Sequence, residues 1–115
     1  PADAIAEAWR VLRPGGWFVA STSARNSDPE LTDGYPPTTF DAEEAEDIVR
    51  GVFSDVTVER WDAKLTLLAD HAAVDRFCVH HRLPASASAR VTPPVLLTKR
   101  GCLVYARKET VPCLR

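Results

Sequence analysis

The stretch Arg10-Val11-Leu12-Arg13-Pro14-Gly15-Gly16-Trp17-Phe18-Val19-Ala20 constrains this chain more than any other. Ile5, Ala8, Trp9 and Leu12 recur at spacings of three and four, which predicts one apolar helix face over Ala2 to Leu12. Pro14 cannot continue that helix, and Gly15-Gly16 permits a sharp reversal. The run from Trp17 to Thr22 follows at once without polar alternation. Such a run predicts a strand covered on both faces, as in a parallel sheet between helix layers. Helix, tight turn and buried strand make half of a βαβ unit.

The rest of the chain repeats the alternation. Ser23 to Thr39 is a polar loop, longer than the usual connection of about two to six residues. Asp41 to Val52 predicts a helix with Ala45, Ile48, Val49 and Val52 inward, and Asp41 with Glu44 has capping-box spacing. Phe40 and Ala45 fit a weak hydrophobic staple across its start. Val56 to about Leu68 is strand-like, with a bulge near Asp62 as one option. Asp70 is placed to cap a helix reaching His81, with Val74, Phe77, Cys78 and His81 on one face. Leu83 to Pro94 reads as loop, Val95 to Thr98 as a short extended piece and Lys99-Arg100-Gly101 as a turn. Cys102 to Arg107 alternates as a last strand, and the residues after Glu109 read as a frayed tail. Strands alternating with helices define an α/β fold. A right-handed crossover through the Asp41 helix should make the first two strands parallel. Local pattern leaves the last strand free to lie antiparallel beside the second.

Composition narrows the function classes. A chain of 115 residues suits one domain or a large piece of one. Its formal net charge of −2 favours neither nucleic acid nor anionic membrane. No apolar run approaches the roughly 18 residues that span a bilayer. Cys78, Cys102 and Cys113 form no C-x-x-C pair, so reduced thiols in a cytoplasmic protein are the expectation. The chain starts at Pro1, enters a helical pattern without a cap and carries no leader-like segment. It therefore reads as beginning inside a larger unit.

Arg10-Val11-Leu12-Arg13-Pro14-Gly15-Gly16 before an apolar strand resembles the "RVLKPGG" segment of class I S-adenosylmethionine-dependent methyltransferases. In that family the segment leads into strand five of a seven-stranded Rossmann-like sheet. Gly51-Val52-Phe53-Ser54-Asp55-Val56 is similar to the family's entry into strand six. Cys102-Leu103-Val104-Tyr105-Ala106-Arg107-Lys108, after Thr98-Lys99-Arg100-Gly101, resembles strand seven, which runs antiparallel between strands five and six. The resemblance implies a partial methyltransferase domain over residues 1–109 with a tail at 110–115. It implies S-adenosyl-L-methionine as cofactor of the longer protein. The donor-binding G-x-G-x-G is absent here, so no donor-binding residue carries over, and this segment alone is expected to be inactive.

In open α/β sheets ligands lie outside the carboxyl ends of the strands. Ser21, Thr22, Ser23, Arg25 and Asn26 leave that end of the first strand and are the candidate substrate-binding residues, with Tyr35 as part of a lid. No catalytic residue is singled out. His71 is a weak candidate base. His80 and His81 point to different helix faces and cannot easily share a metal, so no metal site is expected. Lys99 and Arg100 read as turn or surface charges, and Trp9, Trp17 and Trp61 as packing residues. The implied partner is a small-molecule acceptor, with no nucleic acid and no membrane. The alternative is a non-catalytic module that pairs through the exposed edge of its first strand, giving an oligomer.

Overall fold

The computed structural model describes residues 1–110. The elements run α1 (Ala2–Val11), β1 (Trp17–Ser23), α2 (Ala42–Arg50), β2 (Asp55–Leu68), α3 (His71–His80), a 3₁₀ helix (Ala85–Arg90) and β3 (Val95–Arg107). The fold is mixed α/β around a three-stranded antiparallel sheet ordered β1-β3-β2. Trp17 pairs with Arg107, Val19 with Tyr105 and Ser23 with Gly101. Since β3 opposes both neighbours, β1 and β2 run in the same direction without bonding to each other. The expected tail beyond Thr110, and Cys113 with it, lies outside the described residues.

The chain divides into two compact units. The first comprises Pro1–Ala24, Pro37–Arg60 and the described residues from Gly101 on. Its core joins Ile5 of α1, Ala45 and Val49 of α2, and Phe53 to Cys102, Val104 and Ala106 of β3. Phe18 packs on this core and its ring lies 5.6 Å from that of Phe53. Val104 and Ala106 are buried while Leu103 and Tyr105 are less so, as the alternation predicts.

β1 departs from expectation. It is covered on one face only, with Trp17 and Val19 56% and 54% exposed. The physical reason is that α1 and α2 both pack on the face that carries Phe18. Gly15 does adopt the left-handed conformation the turn requires, at φ 83°. Asp41 occupies the N-cap position of α2, but its carboxylate makes no cap bond to the helix. It accepts instead from the N–H and hydroxyl of Thr38, two donors that compete with the capping box.

The second unit comprises Arg25–Pro36 and Trp61–Arg100. Leu31, Leu68, Val74, Cys78, Ala87 and Leu97 form its core. Asp70 caps α3 as expected, accepting from the Ala73 N–H at 2.8 Å. Part of the expected loop after Leu83 is the 3₁₀ helix, which buries Ala87. The expected turn at Lys99-Arg100-Gly101 does not form, because these residues lie inside β3. Loop groups take up the backbone N–H groups that a turn would have freed. Glu30 accepts from the Thr98 N–H, and the Ser27 hydroxyl accepts from the Arg100 N–H. Among the described residues no helix is long and apolar enough to cross a membrane.

Candidate functional site

The polar centre of the second unit is Asp28, 1% exposed and held at φ 58°. Few non-glycine residues adopt that conformation, and here the surroundings over-determine it. The Asp28 N–H donates to the Thr98 carbonyl at 2.8 Å, and the Asp28 carbonyl accepts from Leu31 and Thr32. The carboxylate takes one charged and one neutral donor. Lys99 Nζ lies 2.7 Å from Oδ1, and the Tyr35 hydroxyl donates to Oδ2 at 2.7 Å. A carboxylate this deep requires such partners, because an unpaired buried charge costs several kcal/mol.

Aromatic rings extend the cluster. Lys99 Nζ stands 5.2 Å from the centre of the Phe77 ring, and Phe77 stacks on His81 at 3.8 Å. The spacing of Phe77 and His81 on α3 makes that stack possible. His81 Nδ1 lies 3.0 Å from the Phe77 carbonyl oxygen. Alongside, Arg100 donates to the Asn26 carbonyl and to Asp62.

Titration follows from these contacts. Burial, then the hydrogen bond to Asp28, pushes the Tyr35 hydroxyl well above its ordinary value. Tyr35 therefore stays protonated at neutral pH and serves as a donor, not a base. Burial alone would raise the Glu30 carboxyl, but the Thr98 hydroxyl and N–H and the Lys64 charge hold it below its usual value. Burial and then Asp75 raise the Cys78 thiol, and burial raises that of Cys102. Both thiols are unpaired and buried, an inert environment for a nucleophile.

The candidate residues divide between the two units. Ser21, Thr22 and Ser23 belong to the first, where Ser21 and Ser23 are exposed and the Thr22 hydroxyl donates to the Phe40 carbonyl. Arg25, Asn26 and Tyr35 belong to the second, where the Tyr35 N–H donates to the Arg25 carbonyl. Asn26 is exposed. His71 and His80 lie exposed on α3. Trp9 is half-buried and donates to Glu109, whereas Trp17 is open to solvent against the packing expectation. Sequence reasoning did not find Asp28 and assigned Lys99 to a turn. Their pairing spans 71 residues, and no local spacing signals it.

Among the described residues no Gly-rich loop opens a helix to cradle a nucleotide. The Gly15 N–H donates to the Lys108 carbonyl and the Gly16 N–H to the Arg13 carbonyl. Both donors are spent within the chain, and a strand follows them where a phosphate-binding loop would open a helix. Compared with protein-family models, curated proteins and solved structures, the chain matches none. A cavity of about 430 Å³ lies against α3, lined by Cys78, Val79, Leu83, Ala85, Ser88 and Asp75. Among the described residues no group of three or more His, Cys, Asp or Glu side chains could hold a metal ion.

Proposed function

We propose that this chain is the C-terminal segment of a class I S-adenosylmethionine-dependent methyltransferase, contributing the sheet edge and acceptor-side loops. The observation that carries the reading is the strand order β1-β3-β2 with β3 antiparallel between its neighbours. That is the order of strands five, seven and six in the family, and it accompanies the Leu12-Arg13-Pro14-Gly15-Gly16 turn. β1 also ends the sheet, with no strand on its outer side among the described residues, which suits a strand that takes further neighbours in a longer protein.

The residues present do not fit the methyl donor, so donor binding falls to other parts of the longer protein. Within this chain, Thr22 and Tyr35 act as anchors of the loop that leaves β1, since their hydroxyls are engaged at Phe40 and Asp28. Ser21 and Ser23 remain exposed at the carboxyl end of β1 for a small-molecule acceptor. The test has two arms. Calorimetric titration of the chain with S-adenosylmethionine should give no binding, and tight stoichiometric binding would sink the reading. The reading frame upstream of Pro1 should encode a Gly-rich strand-to-helix loop within on the order of 100 residues, the span of about four strand–helix units.

A second reading rests on the same exposed strand. β1 ends the sheet with Trp17 and Val19 open, so a non-catalytic module could pair there with another chain. Light scattering combined with Val19→Lys tests it: an assembly indifferent to that charge is not built on β1.

A further inference from the structure

We propose that the opposite edge of the sheet, residues 61–68 of β2, is a self-association surface that pairs antiparallel with β2 of a second copy. β2 is the outer strand beyond β3, so one side of its backbone has no neighbouring strand among the described residues. Edge strands usually avoid exposed aliphatic side chains. Here Leu65 and Leu67 share one face of the strand and are 62% and 61% exposed. Ala63 and Trp61 continue the same face toward the start of the segment, with Ala63 exposed and Trp61 half-buried.

The charges say which occupant fits. A two-fold axis perpendicular to a sheet pairs antiparallel strands so that opposed residues share a face. With the axis at Ala63, Leu65 stands opposite Trp61 of the second copy. On the other face Asp62 stands opposite Lys64, twice over. The neighbouring registers lose this. An axis at Asp62 opposes Asp62 to itself and Lys64 to Arg60. An axis at Lys64 opposes Lys64 to itself. An axis at Trp61 places Arg60 opposite Asp62, but it leaves Leu65 and Leu67 facing Thr57 and Asp55. Like charges directly opposite destabilise a pair, while opposite charges and aromatic–aliphatic pairs stabilise it. Of these four registers the axis at Ala63 alone joins opposite charges with the Leu65–Trp61 pair, and it is self-complementary, with Leu67 set opposite Glu59 beyond the apolar pairs. Asp62 accepts from Arg100 Nε at Oδ1 yet remains 66% exposed, so it can meet a second cation.

Sedimentation equilibrium of the full chain tests the proposal. A reversible monomer–dimer equilibrium is expected. Leu65→Lys should weaken it by at least about tenfold, as loss of a central apolar contact does. Lys64→Asp should weaken it by about tenfold, because symmetry counts each repulsive pair twice. Ala63→Cys, in a Cys113→Ser background, should form an intermolecular disulfide on mild oxidation, since opposed residues lie about 4.5–5.5 Å apart at Cα. Ala63 and Leu65 are exposed, so their substitutions act on association rather than on folding, whereas Lys64 also lends its charge to Glu30, so Lys64→Asp is read against its own urea unfolding curve. A chain that stays monomeric, or a dimer unmoved by Leu65→Lys, overturns the proposal. Cross-linking through Val19→Cys but not Ala63→Cys also overturns it and assigns the contact to β1.

Discussion

Lys99 Nζ lies 2.7 Å from Asp28 Oδ1, joining the interior of β3 to a loop residue 71 positions earlier in the chain. Asp28 is buried and Lys99 keeps 23% of its side-chain surface. Removing the cation leaves a buried carboxylate with only a neutral donor. Lys99→Met should therefore cost about 3–5 kcal/mol of folding stability in urea denaturation. Adding Asp28→Asn should recover part of that loss, because the uncompensated charge is then gone. A double variant as unstable as the sum of the single ones would count against the pair.

Tyr35 supplies the second donor to Asp28. Tyr35→Phe removes that hydrogen bond from a buried acceptor and should cost about 1–3 kcal/mol at neutral pH. The folded hydroxyl titrates above its ordinary value of 10.0. Its contribution is fully present below that pH. It is lost as pH rises further, because the unfolded chain releases the proton first. The stability gap between the parent and Tyr35→Phe should narrow above pH 10 in alkaline denaturation series. A constant gap would mean that the hydroxyl is not held by Asp28.

Phe53 is 1% exposed and stacks on Phe18 within the first unit. Phe53→Ala should cost about 3–5 kcal/mol through lost burial and the cavity left behind. Phe53→Leu should cost less, since it keeps most of the volume. Thermal or urea unfolding compares the two, and equal losses would argue against a packing role.

Cys78 and Cys102 should resist thiol reagents at pH 8 in the native protein and react fully in urea. Burial raises both thiols, and little of either side chain reaches the surface, with Cys78 and Cys102 4% and 0% exposed. Peptide-resolved mass spectrometry after brief alkylation reads each site separately. Fast native labelling of either site would require local opening of its core.

Much of the architecture was legible because it is written at short range. The Ile5, Ala8, Trp9 and Leu12 spacing marks α1, and the Asp70 cap marks α3. The period-two alternation after Gly101 puts Val104 and Ala106 on one face and Leu103 and Tyr105 on the other, and the structure buries the former pair. The errors arose where the deciding partner was remote. β1 read as buried on both faces because its composition is apolar, but coverage depends on where helices pack. Lys99-Arg100-Gly101 read as a turn because those residues favour one. In the structure Ser27, Asp28 and Glu30 extend the hydrogen-bond ladder past β1 and keep the segment extended.

The sequence by itself determined the three α-helices and the cores of the three strands, the positive-φ turn at Gly15 and the inward stripe of α2. These follow from backbone sterics and local hydrophobic period. Only the tertiary structure decided that Asp28 is the polar centre of the second unit, with Lys99 and Tyr35 as its partners. A buried charge is stabilised by whatever donor the fold brings within hydrogen-bond distance, and distance in space is not encoded in distance along the chain.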